Sequence, residues 1–451
     1  MSRRGWPVWM RATDIADLLR LSAPIAVSRA AVMIMALTDA IVLGRNAPGE
    51  LPYVLNSWLP IGVSLGFGMG ILIGVQVITS ELMGRGETHQ TGRVFRRGLV
   101  TAIALGVALT ALVYWSAAPL FNLVFEPEIA DRTIGVTKIL ALGLAGHMLT
   151  QVCGTYLEAL RRPLIVTAIM YGSVLINLVI DLALVAGWWG MPQMGAEGVA
   201  WATTGTRWLM TAAFLLVVFL MTPASKSSET APADEGKRQL TVGLGAAVSN
   251  VAEWGGFNFT YIIATWISLA ANTIYGLATQ VMAVAFMAFL GIGTATSVRV
   301  AEHYGRSDRE GVRDASRLGI VATVIVGVVI GLIIWTFRDQ ISLGMVDKSA
   351  MVDGLLIAPA LAGLLAIIAL GIVFDGLQAT GSMALRAQDI IWAPTFIHIG
   401  SFFLFMIPLG YWLGLVKGYG PEGMAWAAVA GVFIAGILQL ALLQYKTARR
   451  T

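Results

Sequence analysis

Asp39, Asp181, Glu253 and Asp375 each interrupt a long apolar stretch, whereas the other acidic residues fall at or near the ends of such stretches. A carboxylate in that setting can take up and release a proton or a small cation. Its burial at mid-membrane costs about 2.5 to 3.5 kcal/mol on insertion scales, so such residues usually line an ion or substrate path. Asn177 precedes Asp181 by four residues and shares its helix face, and Gln378 sits one turn from Asp375. Asp39 and Asp181 each lie about six residues from an outer helix end, roughly 9 Å below the surface by helical rise. Two carboxylates and an amide at one depth suit a sodium ion held by oxygen ligands, or a shared proton. The residues alone leave the ion open. Glu253 and Asp375 fall roughly 15 to 21 Å from the inner ends of their helices, which makes a second, separate cluster.

Membrane helices must position these groups. With 57% apolar and 12% charged residues, the chain of 451 cannot form a soluble globule with a polar skin. Its apolar runs predict twelve spans, at 14–45, 52–82, 94–121, 133–159, 164–188, 197–221, 240–268, 271–299, 315–337, 351–384, 390–415 and 423–445. Twenty-one Lys and Arg fall in the inner segments, against five in the outer loops: Arg45, Arg132, Arg338, Lys348 and Lys417. That asymmetry places both termini in the cytoplasm, and it explains the basic character without nucleic acid. Met1–Arg11 is too short and polar for a signal peptide, so the first span is expected to be retained.

The chain also repeats itself at an offset of about 221 to 225 residues. Gly195-Ala-Glu-Gly-Val-Ala-Trp-Ala202 recurs as Gly420-Pro-Glu-Gly-Met-Ala-Trp-Ala427, Glu81-Leu-Met-Gly-Arg85 as Glu302-His-Tyr-Gly-Arg306, and Leu160-Arg161 as Leu385-Arg386. The expected fold is all-α and polytopic, with twelve transmembrane helices in two pseudo-symmetric six-helix lobes, 1–221 and 240–451, related by an axis along the membrane normal. The polar segment 222–239 reads as a flexible cytoplasmic linker that lets the lobes rock.

With these pieces in order, the chain resembles the multidrug and toxin compound extrusion family, in its NorM-like bacterial branch, over nearly its full length. The matching pieces are Leu-Thr-Asp39-Ala-Ile-Val, Trp58-Leu-Pro60, Asn177-Leu-Val-Ile-Asp181, Glu253, Thr279-Gln280-Val281, and Asp375 with Leu385-Arg386. The resemblance implies secondary efflux of amphipathic, mostly cationic organic compounds in exchange for protons or sodium ions by alternating access. It assigns Asp39, Asn177 and Asp181 to an amino-terminal cation site, and Glu253, Gln280 and Asp375, with neighbouring Gln378, to a carboxy-terminal cation or substrate site. It further implies a monomer in the bacterial inner membrane, with no cofactor beyond the coupling ion, and a bend of the first helix, for which Pro24 is the candidate hinge.

Plainer readings stand beside these. A membrane carboxylate also caps helices or pairs with Arg, and Asn177, Gln280 and Gln378 also serve as interhelical hydrogen-bond groups. Met33, Met35, Met282 and Met287 suit either an adaptable pocket or ordinary filling of apolar helices. The run Gly62, Gly66, Gly70, Gly74 reads as a close-packing face. Arg29 and Arg207, near mid-membrane, would repel a cation; they pair with Asp39 or Asp181, snorkel to an interface, or receive anionic or zwitterionic substrates. That last option keeps a flippase for a lipid-linked saccharide, or export of a specific metabolite, as the alternative. Gly236-Lys237-Arg238 lacks the P-loop pattern, so ATP-driven pumping is not expected. Cys153 is the single cysteine and the four histidines are scattered, so neither metal catalysis nor a disulfide is supported. A polyprenyl transferase would need clustered Asp-rich motifs, whereas the deep acids here come one per helix.

Overall fold

The computed structural model describes residues 12–226, 232 and 234–449. Met1–Arg11 and part of the expected linker lie outside the described residues. The described residues contain twelve long helices: α1 (Ala12–Asn46), α2 (Leu51–Gly84), α3 (Thr91–Val124), α4 (Pro127–Ala159), α5 (Pro163–Leu184), α6 (Gly195–Met221), α7 (Glu235–Ile267), α8 (Leu269–Gly305), α9 (Arg309–Met345), α10 (Ile357–Arg386), α11 (Trp392–Val416) and α12 (Gly420–Arg449). Among the described residues, eleven are long and apolar enough to cross a membrane. The other, α7, has the length but mixes its apolar residues with Gln239, Asn250, Glu253 and Asn258. The protein is therefore an all-helical polytopic membrane protein.

One expected span starts late. Residues 351–356 form a small hairpin, β1 (Met351–Val352) against β2 (Leu355–Leu356), and α10 begins only at Ile357. Its turn is Asp353-Gly354, both with positive φ, the backbone a two-residue hairpin demands. The Asp353 carboxylate accepts from the Ala270 amide at 3.0 Å, tying the hairpin to the start of α8.

The repeated sequence motifs mark helix ends. Both Glu81–Arg85 and Glu302–Arg306 close a helix, with the capping Arg amide bonded back to the Glu carbonyl. Each is followed by a left-handed residue, Gly86 or Ser307. Gly195 and Gly420 open α6 and α12 with φ of 55° and 56°, a conformation that favours glycine. Leu160-Arg161 and Leu385-Arg386 diverge: Arg161 is exposed, whereas Arg386 is 3% exposed.

The chain divides into two compact units, 27–247 and 1–26 with 248–451, so the seams fall inside α1 and α7 rather than in segment 222–239. In the first unit the core gathers Leu72, Val75, Phe95, Tyr156 and Phe214, and the rings of Phe95 and Tyr156 lie 4.8 Å apart. Gly70 and Gly74 let α2 meet the first half of α7 without side chains: a Cβ on either would collide with the backbone of Ala247 or Gln239. In the other unit, Tyr275, Phe289, Leu361, Leu364 and Ile372 pack together, and Leu18, Leu21 and Ile25 of α1 join Ala295, Val298 and Leu318.

The helix α4 breaks at Gly143, between Leu142 and Leu144. One face of α6 repairs the break. Thr204 Oγ1 donates to the Ile139 carbonyl at 2.9 Å, Trp208 Nε1 to Leu142 at 3.1 Å, and Thr211 Oγ1 to Gly146 at 2.7 Å. Carbonyls freed at the break thus find donors, which removes the cost of leaving them unpaired in an apolar setting. Arg207 lies on that same face, its Cδ against Gly143 where a side chain would crowd it. The helix α11 holds two π-helical stretches, Ile399–Met406 and Trp412–Val416, on either side of Pro408, whose ring nitrogen cannot donate.

Candidate functional site: two buried carboxylate clusters

In the unit 27–247, three helices bring the first cluster together. Asn177 Nδ2 of α5 donates to Asp39 Oδ1 of α1 at 3.1 Å and to Asp181 Oδ2, one turn along α5, at 2.8 Å. Thr203 Oγ1 of α6 donates to the other Asp39 oxygen at 3.1 Å. Asn177 and Asp181 are wholly buried, and Asp39 nearly so. Asp181 stands only three residues before the end of α5, so equal residue counts from the helix ends are not what aligns it with Asp39; the shared Asn177 amide does.

The chemistry of the unsatisfied atoms is specific. Asn177 Oδ1 and Asp181 Oδ1 are buried without a hydrogen-bond partner, and both are acceptors. Two buried carboxylates that share one amide favour a shared proton or a cation between them, and orphaned acceptors ask for a donor or a positive charge. The site fits a proton or a small cation held by oxygen.

The second cluster belongs to the unit formed by 1–26 and 248–451. Gln378 Nε2 of α10 donates to Glu253 Oε1 of α7 at 2.7 Å and to Asp375 Oδ1 at 3.2 Å, while Gln378 Oε1 stays buried without a partner. One amide again bridges two acids from two helices. One turn before Glu253, Ser249 Oγ pairs with His398 Nδ1 of α11 at 2.7 Å. Gln280 is not brought to this cluster. It is exposed and falls on the side of α8 away from Ile274, Ala278, Ala285 and Phe289, which pack into the core.

Neither mid-membrane arginine pairs with Asp39 or Asp181. Arg29 binds Glu158 of α4, and Arg207 lies over the Trp58 ring, 5.8 Å from its centre. Pro24 sits within an unbroken α1, two residues before the seam between the units. Sequence reasoning missed Thr203, Glu158, Ser249 and His398. Thr203 and Arg207, a hydroxyl and a cation one turn apart in an apolar helix, were the available signal for the first.

Comparison with known proteins shows the family. The sequence model of the MatE family matches residues 24–183 and 246–412, which contain every clustered acid. A probable multidrug resistance protein NorM of Caulobacter vibrioides is 34% identical, over 94% of this chain and 90% of that protein. The multidrug resistance protein PmpM of Pseudomonas aeruginosa is 29% identical, over 97% and 92%. Among solved structures, the outward-facing conformation of a multidrug resistance MATE family transporter superposes with a TM-score of 0.88 at 18% identity, covering 97% of this chain and 96% of that one. At that identity the likeness is one of fold.

Proposed function

Because the chain belongs to the MatE family, whose members are transporters and not enzymes, we propose that it carries out secondary active multidrug efflux, exporting amphipathic, mostly cationic organic compounds in exchange for protons or sodium ions. The observation that carries this reading is the pair of buried clusters in which one amide bridges two acids and every orphaned amide or carboxyl atom is an acceptor. Such a cluster is stable when a cation or proton fills it and costly when empty, so loading and unloading it shifts which conformation is favoured. Alternating access follows from that differential affinity: the ion enters from outside, the clusters are neutralised, and a cationic drug leaves. Glu253, Asp375 and Gln378 serve as a second coupling site or as the drug's anionic contact. We place the protein in a bacterial inner membrane as a monomer by its family resemblance, with both termini cytoplasmic on the strength of the Lys and Arg asymmetry of its loops.

The flippase alternative drew on Arg29 and Arg207 as basic groups for an anionic headgroup. Arg29 is occupied by Glu158, which removes half of that support. The test is ethidium efflux from proteoliposomes under an imposed proton gradient and then a sodium gradient, comparing the parent with Asp39→Asn and Asp375→Asn. Gradient-driven efflux that disappears in either variant, with the protein folded, supports antiport and identifies the coupling unit. No driven efflux by folded parent protein overturns the proposal.

A further inference from the structure

We infer that Arg207 is a tethered counter-cation for the Asp39–Asp181 pair: a guanidinium that competes with the coupling ion for the carboxylates and speeds its release. The inference rests on the reading of that pair as a coupling site. Arg207 is 5% exposed, forms no salt bridge among the described residues, and leaves Nη1 buried without a hydrogen-bond partner. A buried charge without a counter-charge is expensive, and two other arginines in largely apolar surroundings avoid that state. Arg29 has Glu158, and Arg299 has Asp14 and Asp17. An unpaired guanidinium persists where some other state of the protein pairs it.

The direction in which it can move is set by helix geometry. Side chains on an α-helix lean toward its N-terminus, so Arg207 leans toward Thr203, one turn earlier on α6. Thr203 is the residue whose hydroxyl holds Asp39 at 3.1 Å, and the Arg207 charge is felt at Asp39. Trp58 offers the guanidinium a resting face through a cation–π contact. The groups that surround this exchange are Asp39 and Arg29 of α1, His147 of α4 and Asp181 of α5. Arg29 is committed to Glu158, and His147 Nε2 is buried without a partner and offers no negative charge. The Asp39–Asp181 pair is thus the negative charge within the reach of Arg207. With an ion between the carboxylates the guanidinium stays on Trp58; when the ion leaves, it closes onto the pair.

The other unit repeats the arrangement. Arg386 is 3% exposed, its Nε and Nη2 have no hydrogen-bond partner, its Nη1 lies 3.5 Å from Ser382 one turn earlier on α10, and its charge is felt at Glu253. Each acid cluster is therefore backed by one arginine that is buried and unpaired.

The experiment measures driven ethidium efflux in proteoliposomes against the concentration of whichever ion drives it, for the parent, Arg207→Gln, Arg207→Lys and Asp39→Asn. Removing a competing charge tightens ion binding, so Arg207→Gln should lower the half-saturating ion concentration by about ten-fold and reduce maximal turnover, because release slows. Arg207→Lys, which keeps the charge, should stay close to the parent. A merely structural arginine would reduce turnover without tightening the ion. An unchanged or raised half-saturating concentration in Arg207→Gln, or a lysine variant as tight as the glutamine one, overturns the inference while leaving the antiport reading intact if Asp39→Asn is inactive. Undiminished driven efflux by Asp39→Asn removes both.

Discussion

Arg29 Nη2 donates to both carboxylate oxygens of Glu158 at 3.1 Å, joining α1 to the last turn of α4 inside the first unit. Glu158 is fully buried and the Arg29 side chain is 17% exposed, so the pair is mostly shielded from solvent. Its role is structural, because neither group retains a free charge for an ion or a drug. The contrast with Arg207 follows from position. Arg29 lies ten residues before Asp39 on α1, about 15 Å by helical rise, too far for the carboxylate clusters to claim it.

Breaking the pair on one side should therefore be worse than removing it. Glu158→Gln leaves a buried guanidinium unmatched and is expected to cost about 3 to 5 kcal/mol of stability, whereas Arg29→Met with Glu158→Leu recovers most of that. Thermal unfolding of the detergent-purified protein reads both. A single variant as stable as the parent would show that the pair is solvated in the native protein.

Asn177 is the one donor shared by Asp39 and Asp181, so Asn177→Ala removes two hydrogen bonds and one ion ligand together. The variant should fold and still reach the membrane, while the driving-ion concentration for half-maximal efflux rises by about ten-fold, equivalent to about 1.4 kcal/mol. Asn177→Asp should behave differently, since a third carboxylate adds charge where donors are already scarce, and it should bind the ion more tightly with slower turnover. Identical behaviour of the two variants would mean that Asn177 only spaces the helices.

Much of this was legible in the residue string for physical reasons. Long apolar runs have one solution in a bilayer, so eleven spans stand out by composition, and the acids interrupting them identify α1, α5 and α10, while Glu253 marks the more mixed α7. The pairing of Asn177 with Asp181 follows from a spacing of four. Contacts between helices distant in sequence carry no local pattern, which is why Thr203 on Asp39 and Glu158 on Arg29 were not foreseen. Register around a helix was the other blind spot: Gln280 matches a family motif, yet its direction depends on which face of α8 the core claims. The Asp353-Gly354 hairpin, by contrast, had a sequence signal in its turn residues that the surrounding apolar run obscured.

Gln280 and Gln378 therefore separate experimentally. Gln378→Ala removes the amide that bridges Glu253 and Asp375 and should weaken the dependence of efflux on the driving ion or lower drug affinity by about ten-fold. Gln280→Ala, at an exposed position with no bond to either acid, should leave the ion dependence within about two-fold of the parent, the scale of surface substitutions. Equal losses in both would place Gln280 in the coupling machinery despite its position in this conformation.

Glu235, at the start of α7, is gripped by Arg93 at 2.7 Å and Arg97 at 2.6 Å from α3. Burial pushes its carboxyl up, but the hydrogen bonds and charges of the two arginines outweigh burial and hold it below the ordinary value of 4.5. A carboxyl depressed on folding contributes stability that is complete above its unfolded value and lost as the pH falls through its folded one. The docking of α7 on α3 should accordingly loosen as the pH drops below about 4.5, and Glu235→Gln should be less stable than the parent at pH 7 but lose less on acidification. Thermal unfolding of both proteins between pH 7 and pH 3.5 provides the measurement. Parallel losses in the two proteins over that range would mean that other carboxyls, and not the Glu235 clamp, set the acid limit.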